Sequence, residues 1–298
     1  MSSPSLPHVG VVVLNWRGAA LTRRCLASLR AGPGYRLQVL VVDNGSGEAE
    51  VAALSEWAEV LALPENLGFA GGMNRGAAAL LARGVSHLLL LNNDAELDGE
   101  TLAHLLAAEV AIAAPTIWQG HFPERSRSWY AGGRLRLGEP LHGRPGAHRA
   151  GPVGFASACV LLVEGSTWQA LGGLDERYFL YHEDVDFCLR ARAIGLWPHW
   201  VPQAEAWHLG GASTGRAAGV PALVDYYDTR NGLRVIRTRL RGPARLAALL
   251  WWAGVRLPRK LLRILALGPE RRAALRAVQQ GLGDAWRGHS GARGAAAA

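Results

Sequence analysis

Two groups of residues in this chain have the types and spacing to do chemistry. Asn92-Asn93-Asp94 closes the apolar run His87-Leu88-Leu89-Leu90-Leu91 and is followed by Glu96. A buried strand that ends in a carboxylate presents it at the ligand-binding edge of a sheet, although the same tripeptide alone also suits a polar Asx-type turn. Further along, Glu183, Asp184 and Asp186 open a helical pattern that runs to Ala193. The positive end of a helix favours ionised carboxylates, which serves a general base and helix stability alike. Asp186 and Arg190 are spaced for an i,i+4 ion pair, which predicts a structural role for Asp186. The stretch before them, Tyr178-Phe179-Leu180-Tyr181-His182, is aromatic and could form the floor of a ligand pocket.

Apolar β-branched runs at 9–14, 37–42 and 60–63 alternate with helical patterns at 19–29, 48–57 and 68–82 before the strand that ends at Asn92. That is a βαβ series, and parallel strands with helical crossovers gather their functional loops at the carboxyl ends. Those loops hold Asn15-Trp16-Arg17, Asp43-Asn44-Gly45-Ser46, Glu65-Asn66-Leu67-Gly68 and Asn92-Asn93-Asp94. Asp43 can accept hydrogen bonds from a base or a ribose, or it can cap the helix that follows. The stretch from Asn66 to Gly76, which includes Gly68 and Asn74, opens a helix with small residues and lets a ligand approach the backbone. It lacks both Gly-Lys-Ser/Thr and Gly-x-Gly-x-x-Gly spacing, so it is not a phosphate loop. Between Pro115 and Gly154 the periodicity is lost, which predicts a long loop or small hairpin over the site.

Six blocks in order carry a resemblance: Val-Val-Leu-Asn-Trp at 12–16, Val-Val-Asp-Asn-Gly-Ser at 41–46, Asn-Leu-Gly-Phe-Ala-Gly-Gly-Met-Asn-Arg-Gly at 66–76, Leu-Leu-Asn-Asn-Asp at 90–94, the Gly-Gly-Leu-Asp-Glu stretch through His-Glu-Asp-Val-Asp-Phe-Cys-Leu-Arg at 172–190, and His-Leu-Gly-Gly-Ala-Ser at 208–213. Together they resemble the glycosyltransferase family 2 enzymes of GT-A fold, particularly the rhamnosyltransferase-like branch, over about residues 9 to 235. The resemblance implies an α/β fold: a Rossmann-like mixed, mainly parallel sheet flanked by helices, with a helical C-terminal extension. It implies a catalytic domain over 1–220, with a nucleotide-sugar half at about 9–113 and an acceptor half at about 114–220, followed by a basic helical extension over 221–298.

By the same resemblance Asp43 contacts the nucleoside, Asn93 and Asp94 occupy the Asp-x-Asp position that holds ribose and a divalent cation, and Asp184 is the catalytic base. The usual first aspartate of that motif is asparagine here. Asp94 suits Mg2+ or Mn2+ as a hard oxygen ligand, and His208 matches the family's late histidine as a second ligand, with a structural histidine as the alternative. Asn15, Asn66, Gly68 and Asn74 join Asp43 and Asn93 as donor-side candidates. Glu183 is expected to orient Asp184 or touch the acceptor. Tyr181 and His182, in the aromatic stretch before the carboxylates, are expected to floor the acceptor pocket, and Arg230, in Tyr226-Tyr227-Asp228-Thr229-Arg230-Asn231, is expected to reach the donor diphosphate or the acceptor, or to form a surface salt bridge. The implied reaction is an inverting transfer from a nucleotide-sugar donor, dTDP-rhamnose or a UDP-hexose, to a glycan or lipid-linked acceptor.

Composition bounds the remaining readings. With 298 residues and 49% hydrophobic content the chain can bury a substantial core. Cys25, Cys159 and Cys188 are odd in number and far apart, which predicts buried thiols in a reducing, cytoplasmic compartment, and residues 1–8 lack the pattern of a secretory signal. From Arg230 to the end there are 15 basic and 2 acidic residues, a local net of +13 within a chain of net +8. An acidic body with a basic tail predicts contact with a polyanion, an anionic membrane surface being favoured over nucleic acid. Leu246 to Gly254 is too short to span a bilayer, so the tail is expected to lie on the membrane, or else to pack on the catalytic domain or a second subunit of a homodimer. A nucleotidyltransferase would be expected to carry an early Gly-rich, Lys/Arg-containing loop where Leu14-Asn15-Trp16-Arg17 stands. A noncatalytic sugar-binding module would not need Asp94, Asp184 and His208 together.

Overall fold

The computed structural model describes residues 6–146, 149–210, 221–266 and 270–294. Its first half follows the alternating pattern: β1 (His8–Asn15), α1 (Ala19–Ser28), β2 (Arg36–Asp43), α2 (Glu48–Ser55), β3 (Glu59–Ala62), α3 (Gly68–Leu81) and β4 (His87–Asn92). A short β5 (Ala95–Leu97), α4 (Thr101–Ala107) and β6 (Ile112–Gln119) follow. Next come β7 (Ser128–Tyr130), β8 (Gly133–Arg136), β9 (Glu139–His142), β10 (Gly151–Pro152) and β11 (Val160–Glu164). The rest comprises α5 (Gly165–Leu171), a 3₁₀ turn at Glu176–Tyr178, α6 (Glu183–Ala193), β12 (His199–His208), α7 (Pro221–Arg239), α8 (Gly242–Trp251), a π turn at Trp252–Arg256, α9 (Leu257–Leu265) and α10 (Arg271–Arg287).

The main sheet runs β10-β12-β6-β11-β4-β1-β2-β3. Strands β4, β1, β2 and β3 are mutually parallel, as are β6 and β12, and β11 runs antiparallel between β6 and β4. Val9, Val11, Val12, Val13 and Leu88 to Leu91 are buried, as expected of central strands covered on both faces. Burying each such side chain stabilises the fold by roughly 1.5–3 kcal/mol.

The small residues of α3 meet the sheet rather than a ligand. A Cβ on Gly72 would lie 2.3 Å from Leu14, and one on Gly76 would lie 2.5 Å from Val12 and 2.7 Å from Val42. Close helix–sheet packing therefore accounts for the glycines that the sequence suggested were there for ligand approach, with Gly68 as the exception described below. The stretch between Pro115 and Gly154 also differs from the expected loop. Pro115 to Gln119 belong to buried β6, and the register with β12 shifts between Val201 and Glu205, next to the proline that cannot donate to the ladder. The expected hairpin is β8–β9.

Candidate active site

Parallel pairing brings the carboxyl ends of β1, β2 and β4 side by side, with Asn15 beside Asp43 and Leu14 beside Asn92. Beyond these ends lies a cavity of about 730 Å3 lined from both halves of the sheet and from α7, within the size range of small-molecule sites. Asn66, Gly68, Asn93, Asp94, Tyr181, His182, Glu183, Asp184 and His208 all border it. Asn15, Asp43, Asn74 and Arg230 do not.

Asn15 and Asp43 form a buried polar brace beneath the cavity. Asn15 Nδ2 donates to Asp43 Oδ1 (2.7 Å) and Glu50 Oε2 (3.1 Å), while its Oδ1 accepts from Thr22 Oγ1 (2.7 Å). Asp43 Oδ2 accepts from the backbone N–H of Ser46 (2.9 Å). Asn93 joins the brace through Nδ2, which donates to Thr22 Oγ1 (3.1 Å). Asn74 ties α3 to the next layer: its amide exchanges hydrogen bonds with the backbone of Leu174 (2.8 and 2.9 Å).

Asn44 stands out once the structure is known, although it was only a passenger in the Val-Val-Asp-Asn-Gly-Ser block. It lines the cavity, donates through Nδ2 to Asn66 Oδ1 (3.0 Å) and Gly68 O (3.0 Å), and accepts the Leu67 N–H at Oδ1 (2.9 Å). That clamp holds Gly68 at φ +75°, where a Cβ would fall 2.4 Å from Phe179 O. Only glycine allows this approach, and the Phe69 N–H then donates to Phe179 O at 2.6 Å.

The segment on the far side of that contact is strained. Phe179, Tyr181 and His182 have φ of 62°, 66° and 71°, unusual for residues with side chains. Arg230 and Asn231 on α7 hold it. Asn231 Nδ2 lies 2.8, 2.8 and 2.9 Å from the carbonyls of Tyr178, Leu180 and Tyr181, and Arg230 Nη2 donates to Tyr178 O at 2.9 Å. The buried Arg230 guanidinium also donates to Gly291 O (2.7 Å) and lies against the rings of Tyr226 and Tyr227. It acts as a staple for the loop, in place of the donor or acceptor contact or surface salt bridge expected from the sequence.

The loop delivers Glu183 and Asp184 to the first turn of α6. Asp184 Oδ1 accepts from the Val185 N–H (2.8 Å) and Oδ2 from the Ala158 N–H (3.3 Å). Buried Glu183 leaves Oε2 without a hydrogen-bond partner. Burial holds Glu183 well above the usual carboxylate range, and the Asp184 charge pushes it in the same direction. Burial raises Asp184 too, opposed by His182 and by the two N–H donors. Within the pair, the two N–H donors on Asp184 favour its ionised form over that of Glu183. Asp186 faces away from the cavity, held by Arg190 (2.7 Å), as its spacing predicts, and by Arg239 from α7.

His182 Nε2 meets Asp228 Oδ1 at 2.9 Å and leaves its buried Nδ1 without a partner. Across the β5–β12 ladder, Asp94 Oδ1 lies 3.1 Å from His208 Nε2, and Trp129 packs edge-on against the His208 ring. Burial opposes charge on that ring, but Cys159 and Asp94 outweigh it and raise its pKa to about 10, so a cation binding between Asp94 and His208 has to displace the ring's proton. His208 Nδ1 and Asn92 Oδ1 have no hydrogen-bond partner although both are buried. Four cavity-lining residues thus present orphaned polar atoms, an arrangement that folding alone disfavours and a polar ligand would satisfy. Among the described residues no three His, Cys, Asp or Glu side chains converge as a metal cage. One carboxylate and one imidazole side by side fit a divalent cation whose other ligands come from a substrate and water. Glu96, by contrast, is turned to Arg24 and His121. Trp129 and His142, from the stretch that lacked periodicity, line the cavity, as does Asp228.

An α/β sheet with carboxylates and an imidazole gathered at its strand ends is a ligand-binding architecture, and comparison with known proteins identifies the family. The Glycosyl transferase family 2 pattern matches residues 9–147. An N-acetylglucosaminyl-diphospho-decaprenol L-rhamnosyltransferase of Mycobacterium tuberculosis is 30% identical over 237 residues, covering 69% of this chain and 77% of that one. The dTDP-rhamnosyl transferase RfbF of Shigella flexneri is 23% identical over 218 residues, covering 67% and 70%. The chain belongs to glycosyltransferase family 2, in its rhamnosyltransferase-like branch. Its fold matches the mannosyltransferase PcManGT of Pyrobaculum calidifontis, solved with GDP-Man and Mn2+, at a TM-score of 0.59 and 15% identity over 95% of this chain and 88% of that one. GalNAc-T7, solved with UDP, GalNAc and Mn2+, matches at a TM-score of 0.59 and 16% identity, over 87% and 58%.

Proposed function

We propose that this glycosyltransferase inverts the anomeric centre of a nucleoside-diphosphate sugar, dTDP-rhamnose ahead of a UDP-hexose, as it transfers the sugar to a hydroxyl of a glycan or lipid-linked acceptor. The observation that carries this reading is the convergence on one cavity of Asp94 with His208 and of Glu183 with Asp184, each pair bordered by orphaned polar atoms. Asp184 takes the proton of the acceptor hydroxyl as that oxygen bonds to the anomeric carbon and the bond to the diphosphate breaks. Glu183, protonated, leaves Asp184 as the ionised partner. Tyr181 and His182 border the acceptor side, where His182 is oriented by Asp228 and offers Nδ1 to a sugar hydroxyl. Asn66, Gly68 and Asn93 border the donor side, and Asn15 and Asp43 support them from below.

Asp94 and His208 would hold Mg2+ or Mn2+, which supplies positive charge to the departing diphosphate. The similarity to two rhamnosyltransferases favours rhamnose as the sugar. The test is release of nucleoside diphosphate from dTDP-rhamnose and from UDP-hexoses, with and without chelator, with the product anomer read by NMR. Chelator-sensitive release from dTDP-rhamnose with an inverted product supports the reading. Retention of configuration, or chelator-resistant turnover, overturns the corresponding part.

A further inference from the structure

The helices after α7 carry a surface that sugar transfer does not use. Between Arg241 and Ala266 there are six basic residues and no acidic one. At the junctions of α8, the π turn and α9 the backbone keeps right-handed helical dihedrals. Their inner side is buried: Ala248 and Trp252 pack with Ile236, and Ile264 packs with Ala274 and Val278. A helix packed this way in water presents a polar outer face. Here the outer face carries Leu246, Leu250, Leu262 and Leu265, which are 61%, 65%, 67% and 55% exposed. Leu246 and Leu250 are four residues apart, and Leu262 and Leu265 three apart, so each pair shares a helix face. Ala253, Gly254 and Pro258, between the pairs, are exposed too. Exposed Arg245, Arg259 and Arg263 flank the leucines.

The charge pattern selects the partner. An apolar stripe edged by cations alone is the pattern of a helix lying in a bilayer interface, its leucines among the acyl chains and its arginines at anionic headgroups. No helix among the described residues is long and apolar enough to cross a membrane. Arg256, Lys260 and Arg263 are paired inward with Glu139, Asp228 and Asp225, so a second copy of the chain would bring the exposed Arg241, Arg245 and Arg259 against themselves. The stripe also reaches the site, because Arg263, next to Leu262, lines the cavity.

We propose that the outer face of α8 and α9 docks on an anionic bilayer and sets the cavity at the headgroup layer, where a lipid-linked hydroxyl would enter it. The test is flotation of the full chain with phosphatidylcholine vesicles, with and without phosphatidylglycerol, at low and high salt. Binding is expected to need phosphatidylglycerol and to weaken with salt. Arg245→Gln with Arg259→Gln should lower partitioning by about fivefold per arginine. Leu250→Gln with Leu262→Gln should lower it by about tenfold per leucine. Circular dichroism and the melting temperature should be unchanged in both, since all four side chains are exposed. Absence of flotation at low salt, equal flotation by the wild type and both double variants, or a dimer that the leucine variant dissociates without any vesicle binding would each overturn the proposal.

Discussion

At the scale of single residues, the site's behaviour follows from burial of charge. Asp184→Asn keeps the shape and removes the base, so turnover should fall by about 10²- to 10⁴-fold while donor binding, measured by calorimetry, stays near that of the wild type. Near-normal turnover in this variant would remove Asp184 from the reaction. Because burial raises both carboxyls, the acid limb of kcat/KM should fall above the ordinary carboxylate pKa of about 4. A limb at or below that value would show that the pair does not govern the rate. The same shift has a sign for stability. Glu183 binds its proton more tightly when folded, so its contribution is present below the unfolded pKa and lost as pH rises through the folded one. Glu183→Gln should therefore raise the melting temperature at neutral pH and leave it unchanged below about pH 4. Asp94→Ala should weaken donor binding in the presence of Mg2+ or Mn2+, and unchanged affinity and metal dependence would exclude it as a ligand.

At the scale of elements, two contacts set the shape of the 178–182 segment, and each can be broken singly. Asn231→Ala removes the amide that reaches three carbonyls. Leaving buried acceptors unpaired costs about 1–3 kcal/mol each where no other donor replaces it. The expected result is a lower melting temperature together with a lower kcat, since α6 begins where this segment ends. Gly68→Ala meets the other side: its Cβ would lie 2.4 Å from Phe179 O at a φ of +75°. Loss of activity in Gly68→Ala with an unchanged melting temperature would mean that the glycine serves ligand approach alone and not the loop contact. Gly68 was visible in the sequence, but its partner Phe179 lies more than a hundred residues away.

At the scale of the whole molecule, α7, α9 and α6 are joined through one carboxylate. Asp228 on α7 meets His182 at 2.9 Å and Arg256 at 2.6 Å, and it also pairs with Lys260. Burial would raise its pKa, but Arg256, His182 and Lys260 bring it well below the usual carboxylate range. Its stabilisation is therefore present above the unfolded pKa of about 4 and lost as pH falls through the folded one. Asp228→Asn should melt at a lower temperature at neutral pH and lose less stability than the wild type on acidification. Parallel melting curves for the two proteins from neutral to acid pH would contradict this. With 28% of the Asp228 side chain exposed, the loss should be moderate, about 1–3 kcal/mol.

The sequence by itself determined what local patterns can determine. The apolar runs of β1, β2 and β4, the helical spacing of α1 to α3 and the ordered motif blocks were enough to specify the α/β class, the family and the strand ends where polar loops gather. Asp186 and Arg190, one helical turn apart, were legible for the same reason. Only the tertiary structure decided which polar residues face the cavity. Asn15 and Asp43 come from loops that look as exposed as Asn93's, yet strand register sets them side by side beneath the site. Arg230 carries a charge that sequence reasoning sent to the diphosphate, but the docking of α7 turns it toward backbone carbonyls. Asn44, Trp129, His142 and Asp228 reach the cavity through contacts between segments far apart in the chain, which no local periodicity encodes. The exposed leucines of α8 and α9 depend on tertiary structure in the same way, because a helical stripe can be read from sequence while the side left uncovered depends on what packs against the other.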